Sequence, residues 1–224
     1  ASLVGSEMCI RDRGYRSYRE KLVGYYAKFN INLTADDIII TSGGSEAVLF
    51  SFLSCLNPGD EIIVPEPAYA NYMAFAISAG AKIRTIATTI EEGFSLPKVE
   101  KFEELINERT KAILICNPNN PTSSAISTAD MKKLLTVCRS LGIFVMIDET
   151  YIEFAPESTS LSAVSLVPEF DNFMVIRGVS KFFAAPGLRF GYGLTSNQAF
   201  LQTLLTHQNP WSLNSVGALS LIHI

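Results

Sequence analysis

The chain has 224 residues, of which 48% are apolar, and this is enough to bury a sizeable core. Its 18 lysines and arginines against 22 aspartates and glutamates give a net charge of −4 without a long run of one sign, so we expect no nucleic-acid or membrane partner. No apolar run approaches the length of a membrane span, and the four cysteines lack CxxC spacing, so we expect a cytoplasmic protein that binds small molecules.

Strand-like and helix-like patterns alternate between residues 14 and 217. In chain order they predict a helix over 15–29, a strand over 37–41, a helix over 47–56, a strand from 61, a helix over 69–79, a strand from 82, a helix over 99–107, a strand from 112, a helix over 128–140, a strand ending at 148, a strand from 173, a strand-like run from 189 and a helix from 198.

Strands separated by helices indicate parallel crossovers, and strands that are apolar throughout indicate a sheet covered on both faces. The sequence therefore predicts an α/β fold, with a mostly parallel central sheet and helices on both faces. In such sheets ligands bind at the carboxyl ends of the strands, and we look there for chemistry.

The two ends of the chain do not fit this pattern. The strings SLVGSEMCIRDR (Ser2 to Arg13) and LSLIHI (Leu219 to Ile224) resemble translated sequencing-adapter read-through, and a natural disordered tail is the alternative. We therefore expect 1–13 and 218–224 to be non-native, and 14–217 to form one incomplete domain.

A turn of small residues, TSGGSE, lies between the first predicted strand and the next helix. At such a helix start the backbone N–H groups of Gly44, Ser45 and Glu46 can bind a phosphate. An ordinary helix N-cap is an equally good interpretation of the turn alone. The turn is not GxGxxG, and no acidic residue is placed to contact a ribose, which argues against a dinucleotide-binding dehydrogenase.

Charged residues follow two of the apolar strands. Asp148 comes directly after IFVMI, where a buried carboxylate is unfavourable unless something compensates its charge. The partner could be a protonated ring nitrogen, or Arg177 or Arg189 in an ion pair. Alternatively, Asp148 could be a helix N-cap. Lys181 follows FMVIRGV, and a lysine amine can form a Schiff base. Arg189 offers a planar fork suited to phosphate. Pyridoxal phosphate, with a carbonyl, a phosphate and a ring nitrogen, would use all of these groups.

From Gly14 to about Gly217 the chain resembles the fold-type-I pyridoxal-phosphate-dependent aminotransferases of class I/II. The resemblance rests on five motifs in this order: TSGGSEA, NPGDEIIVPEPAY, NPNNPT, IDETY and SKFFAAPGLRFGY. It implies that residues 14–217 are the large, cofactor-binding domain and that the small C-terminal domain is absent. It also implies pyridoxal 5'-phosphate as cofactor, no metal, an amino acid and a 2-oxo acid as substrates, and a homodimeric parent protein.

The same resemblance implies roles for individual residues. Lys181 would be the aldimine lysine and would move a proton as general base and acid. Asp148 would keep the ring nitrogen protonated, Tyr151 and Asn120 would hydrogen-bond the ring's phenolic oxygen, and Tyr69 would stack on the ring, although plain core packing is an alternative for Tyr69. Phosphate would be held by the turn at Gly44, Ser45 and Glu46, by the Ser180 hydroxyl and by Arg189.

The chain departs from the family pattern at four places. Ser123 stands where the family usually has glycine, and Gly178 stands where many members have a hydroxyl residue. The tyrosine that usually precedes the position of Gly14 is replaced by the adapter-like stretch. The arginine that commonly binds the substrate carboxylate would lie beyond Gly217, so we assign that role to no residue.

The motifs favour transamination without fixing the substrate. Residues 57–122 resemble aspartate-aminotransferase-like enzymes, whereas DETYIEF and the later motifs resemble histidinol-phosphate aminotransferases and threonine-phosphate decarboxylases. We expect an aminotransferase. An amino-acid decarboxylase and a cofactor-binding fragment without turnover remain the alternatives.

Overall fold

The computed structural model describes residues 14–156 and 158–209 of the chain. Within these ranges a seven-stranded sheet forms the centre of the molecule, with its strands in the order β1-β7-β6-β5-β4-β2-β3. The strands are β1 Ile38–Thr41, β2 Glu61–Glu66, β3 Lys82–Ala87, β4 Thr110–Cys116, β5 Phe144–Asp148, β6 Phe173–Gly178 and β7 Gly191–Leu194.

Strand β7 is antiparallel to both of its neighbours, β1 and β6. The other pairings are parallel, so β1 to β6 all end at the same edge of the sheet. This edge brings Cys116 at the end of β4 directly beside Asp148 at the end of β5. The prediction of a mostly parallel central sheet is confirmed.

Seven α-helices accompany the sheet in the part of the chain described. They are α1 Arg16–Ala27, α2 Gly44–Cys55, α3 Asn71–Ser78, α4 Val99–Glu103, α5 Thr128–Ser140, α6 Ser158–Leu161 and α7 Gln198–His207. Helices α1 and α5 contribute to the apolar core on one face of the sheet, and α2, α3 and α7 contribute to the core on the other face. The helices on both faces that the sequence predicts are therefore present.

Each strand contributes side chains to both cores, because successive side chains point to opposite faces of the sheet. In β5, Val145 and Ile147 belong to the core beneath α1 and α5, and Met146 between them belongs to the core beneath α2 and α3. All three side chains have no exposed surface. A strand buried on both faces must be apolar at every position, and this explains the unbroken apolar runs in the sequence.

Several predicted elements differ from the observed ones in their limits; the helix predicted over 47–56, for example, begins at Gly44. The helix predicted over 99–107 ends at Glu103, because the N–H of Asn107 bonds to Thr110 Oγ1 (3.0 Å) and turns the chain into β4. The strand-like run predicted from Arg189 begins only at Gly191. Arg189 itself has the left-handed conformation (φ 47°), which a strand residue does not adopt.

The chain ends lie outside the described residues. The predicted non-native segments at 1–13 and 218–224, and the domain limit at residue 217, therefore stay predictions. Among the described helices, none combines the length and the apolar composition that a membrane crossing requires.

Candidate active site

A cavity of about 310 Å³ opens at the carboxyl edge of the sheet. It lies where β4 and β5 end and where the chain leaves β1 and β6, as expected for a ligand site in a parallel sheet. Nine of the ten residues singled out from the sequence line it: Gly44, Ser45, Tyr69, Asn120, Asp148, Tyr151, Ser180, Lys181 and Arg189. Residues more than 130 positions apart in the chain are thus brought to one place.

The tenth residue, Glu46, does not line the cavity. Its carboxylate instead accepts a hydrogen bond from the backbone N–H of Ser42 at 2.6 Å, closing the turn before α2. Burial raises the pKa of Glu46, and this backbone bond and the charge of Arg189 oppose the rise. The N-cap of helix α2 is Gly43, and no side chain caps its N-cap position, so the Glu46 carboxylate closes the turn without being an N-cap.

The turn before α2 is shaped by close backbone packing. Gly43 has a positive φ of 92°, a conformation that favours glycine. A Cβ atom built on Gly191 would lie 2.4 Å from the backbone carbon of Gly43 and 2.5 Å from the backbone nitrogen of Gly44. Glycine in β7 is therefore a condition for the turn to sit at the cavity with its N–H groups at the helix start.

Arg189 lies against this turn from the other side. Its Nη2 donates to the backbone oxygen of Ser42 and its Nη1 to that of Pro186, each at 3.4 Å. Both bonds are long, and the side chain is exposed, so the planar guanidinium keeps most of its donors for another acceptor. Together with the hydroxyl-bearing Ser45 and Ser180, this makes one end of the cavity suited to an anion.

Asp148 contributes a buried carboxylate to the same cavity. Only 7% of the residue is exposed, and among the described residues no lysine or arginine forms an ion pair with it. The two arginines considered from the sequence have other partners: Arg177 pairs with Glu149 and Glu153, and Arg189 contacts Ser42. An unpaired buried carboxylate is unfavourable, and a cationic ligand in the cavity would relieve this cost.

Asn120 and Tyr151 form a second polar group in the cavity. The Asn120 Nδ2 donates to the Tyr151 hydroxyl at 3.1 Å, across 31 residues of sequence. Burial raises the pKa of Tyr151, and the neighbouring Cys116, Asp148 and Tyr69 raise it further. The phenol therefore keeps its proton near neutral pH and can donate it to an acceptor in the cavity.

Tyr69 and Lys181 both face solvent at the cavity. Tyr69 is 37% exposed and its hydroxyl accepts a hydrogen bond from Asn71 at 2.8 Å, which argues against the alternative of plain core packing. Lys181 lies three residues beyond the end of β6 and is exposed. Within residues 14–156 and 158–209 its amine forms no hydrogen bond or ion pair, so nothing there holds it away from a ligand.

The cavity lining also includes residues that were not singled out from the sequence, among them Tyr72 and Thr150. The Tyr72 hydroxyl donates to Asp148 Oδ2 at 2.7 Å, and Thr150 donates to Asp148 Oδ1 from its N–H (3.0 Å) and its hydroxyl (2.6 Å). The Asp-x-Thr spacing at the end of a strand is typical of such a local turn and could have revealed Thr150. Tyr72 lies on helix α3, three residues after Tyr69, and carried no comparable sequence pattern.

The residues of the cavity fit pyridoxal phosphate on their own chemistry. The cofactor brings a phosphate, a ring nitrogen that can carry a proton, a phenolic oxygen and an aldehyde. The structure places a helix start at Gly44 and a guanidinium at Arg189 where they could bind an anion, together with an unpaired buried carboxylate at Asp148, a hydroxyl at Tyr151 and an exposed amine at Lys181.

Comparison with known proteins agrees with the motifs. The family model for aminotransferase class I and II matches residues 9–224. The chain is 37% identical over 167 residues to histidinol-phosphate aminotransferase of Methanococcus maripaludis, covering 74% of this chain and 43% of that protein. It is 31% identical over 191 residues to aspartate aminotransferase of Thermotoga maritima, covering 83% of this chain and 49% of that protein.

The fold agrees as well. The crystal structure of aspartate aminotransferase from Thermotoga maritima superimposes with a TM-score of 0.86 at 27% identity, over 95% of this chain and 58% of that one. The chain spans about half the length of the curated relatives it matches. By motifs, family model and fold, the chain belongs to the aminotransferase class I and II family.

Proposed function

We propose that this chain carries the cofactor site of a pyridoxal-phosphate-dependent aminotransferase, which moves an amino group between an amino acid and a 2-oxo acid. The observation that carries the proposal is the joint placement of an exposed lysine, an unpaired buried carboxylate and the N-terminal turn of helix α2 around one cavity. When bound, pyridoxal phosphate supplies an aldehyde that condenses with amines and a protonated ring that withdraws electrons from the substrate.

The chain's own residues would have distinct tasks. Lys181 would bond to the aldehyde and later carry a proton to and from the substrate's Cα. Asp148 would accept a hydrogen bond from the ring N–H, with Tyr69 against the ring face. Asn120 and Tyr151 would hold the phenolic oxygen.

The phosphate would lie at the start of α2, where a helix N-terminus offers free N–H groups and a partial positive charge. The backbone of Gly44 and Ser45, the Ser180 hydroxyl and the Arg189 guanidinium would be its ligands. For Glu46 only the backbone is proposed as a ligand, since its carboxylate closes the turn.

The same reasoning extends to the whole protein. We propose a homodimeric, cytoplasmic enzyme with amino-acid and 2-oxo-acid substrates, in line with relatives named as histidinol-phosphate and aspartate aminotransferases. Among the relatives described above, both curated names are aminotransferases, which favours transamination over decarboxylation.

Covalent cofactor binding is the first test. We would add pyridoxal phosphate to the purified chain, record the absorbance near ~400 nm, reduce with borohydride and locate the modified lysine by peptide mass spectrometry. The expected result is modification of Lys181 and loss of the band in Lys181→Ala. As a matched control, Lys82→Ala removes an exposed lysine from edge strand β3 and should change nothing.

The outcome also separates the alternatives. A well-folded chain that binds no cofactor, or that is modified equally well without Lys181, would refute the assignment. Adding an amino acid and detecting the 2-oxo acid would support transamination, whereas release of carbon dioxide would identify a decarboxylase. Cofactor binding without either product would identify a binding fragment without turnover.

A further inference from the structure

The carboxylate of Asp148 is held on both of its oxygens by residues from two separate elements. Tyr72 of helix α3 donates its hydroxyl to Oδ2 at 2.7 Å. Thr150, in the turn after β5, donates its N–H (3.0 Å) and its hydroxyl (2.6 Å) to Oδ1. Tyr72 is 2% exposed and 76 residues away in sequence, so its hydrogen bond depends on how α3 packs against the sheet.

Tyr72 acts as a donor in this contact. Burial raises its pKa well above the usual value, and the charge of Asp148 adds to the rise, so the phenol keeps its proton. Cys116 lies beside it, and burial followed by the charge of Asp148 raises the pKa of that thiol to about 12. The phenol and the thiol therefore keep their protons, and the Asp148 carboxylate accepts the hydrogen bond from Tyr72.

These bonds leave a defined part of the carboxylate for a ligand. A carboxylate has about four lone-pair sites, two on each oxygen. The described residues use both sites on Oδ1 and one on Oδ2. One acceptor site on Oδ2 remains, on a residue that lines the cavity, and it matches a ligand with a single N–H donor.

We propose that Tyr72 and Thr150 are positioning residues, which fix the Asp148 carboxylate so that one lone pair of Oδ2 receives the ring N–H of pyridoxal phosphate. The inference rests on the proposed function. It goes beyond the roles implied by the motifs, because neither residue was assigned there and both act through Asp148.

The alternative is a purely structural role, in which the two hydroxyls stabilise the end of β5 and have no bearing on the ligand. The two roles differ in one measurable respect. If the two residues position Asp148, their substitution weakens the binding only of ligands that carry the ring N–H. If their role is structural, substitution weakens the binding of all ligands of the cavity alike.

The experiment compares two ligands in each variant. One is pyridoxal phosphate and the other is its carbocyclic analogue, in which C–H replaces the ring nitrogen. Dissociation constants are measured by absorbance titration for the unsubstituted chain, Tyr72→Phe, Thr150→Val and Thr150→Ser. Because both ligands are measured on the same preparation, the ratio of the two constants is independent of the fraction of chain that is folded.

We expect Tyr72→Phe and Thr150→Val each to weaken pyridoxal phosphate by about tenfold, the effect of disturbing one hydrogen bond to a charged group. Binding of the analogue should change less than about twofold. Thr150→Ser keeps the hydroxyl, so the ratio of the two dissociation constants should equal that of the unsubstituted chain. As a matched control, Tyr26→Phe removes a buried tyrosine hydroxyl that contacts Tyr192 (2.9 Å) outside the cavity, and should leave the ratio unchanged.

Two results would overturn the inference, and they are distinguishable from each other. Equal losses for both ligands, or no loss for either, would leave the proposed function standing and assign Tyr72 and Thr150 a structural role. Absence of pyridoxal phosphate binding in the folded, unsubstituted chain would overturn the proposed function and this inference with it.

Discussion

Replacing Gly191 by alanine tests whether the turn at the candidate phosphate site depends on the missing Cβ. The added carbon would lie 2.4 Å from the Gly43 carbon, 2.5 Å from the Gly44 nitrogen and 2.9 Å from the Arg177 oxygen. Carbon pairs are most stable at roughly 3.5–4.0 Å, so two of these contacts are more than about 1 Å too short. All three contacts are with backbone, which cannot rotate away as a side chain can.

The cost follows from this geometry. Overpacking a core typically costs about 1–3 kcal/mol, and rigid partners place this substitution at the upper end. We therefore expect Gly191→Ala to lower the free energy of unfolding by about 3 kcal/mol. For a chain of this size that corresponds to a fall in Tm of roughly 6–12 °C. Urea denaturation followed by circular dichroism measures the first quantity, and calorimetry measures the second.

Two other glycines serve as matched controls. A Cβ on Gly178 would lie no closer than 3.6 Å to its neighbours, an ordinary contact, so Gly178→Ala should change the free energy of unfolding by less than about 1 kcal/mol. Gly24 lies in helix α1 with nothing within 4 Å, so Gly24→Ala should stabilise by about 0.5–1 kcal/mol. If Gly191→Ala were as stable as the unsubstituted chain, the argument from close backbone packing would be refuted.

Three further substitutions test the core and the buried charges. Phe52→Ala removes a fully buried ring from the core beneath α2 and should lower the free energy of unfolding, measured by urea denaturation, by about 3–5 kcal/mol. A decrease of less than about 1 kcal/mol would contradict the close packing of this ring. Glu149→Gln removes the charge that pairs with buried Arg177 at 2.9 Å, and should lower the free energy of unfolding, measured by calorimetry, by about 3 kcal/mol. As a control, Lys132→Ala breaks an exposed ion pair and should leave Tm unchanged. Glu61 is buried, and the Asn107 amide, Arg109 and Arg84 hold its pKa below the usual value. A lowered carboxyl pKa stabilises the fold above the unfolded pKa and loses this effect as pH falls. Glu61→Gln should therefore lower the free energy of unfolding by about 1–2 kcal/mol at pH 7 and by progressively less below about pH 4.5. A decrease that does not depend on pH would contradict the lowered pKa of Glu61.

The elements predicted most accurately are those whose limits are set by local chemistry. Helix α5 has the predicted limits, Thr128 and Ser140. The Ser127 side chain accepts the N–H of Asp130 and caps the helix start, and the buried residues Met131, Leu134, Leu135 and Cys138 have helical spacing. Where a distant group is involved, the prediction failed: the helix predicted as far as Asn107 ends at Glu103, and the Asn107 amide donates instead to Glu61, 46 residues away, at 2.8 Å.

The residues of the candidate site were also predicted best where the local sequence is informative. Asp148, Lys181 and Arg189 could be singled out because a charge next to an apolar strand is conspicuous in the sequence. Tyr72 could not, because its hydroxyl reaches Asp148 only through the packing of α3 on the sheet. Arg189 was placed on a strand because its neighbours suit one. Its backbone is instead left-handed, and its guanidinium contacts the backbone oxygen of Ser42, 147 residues away, a contact that no local pattern reveals.

The antiparallel strand β7 also constrains the order in which the molecule can assemble. Strand β1 has β7 as its only partner in the described sheet, and their paired residues, such as Ile40 and Tyr192, are about 150 positions apart. Closing a loop of that length costs entropy before any contact repays it, so this pairing forms slowly. The turn that follows β1 therefore takes its final shape only once residues 191–194 have been inserted between β1 and β6, and we expect competence to bind phosphate to appear late in folding.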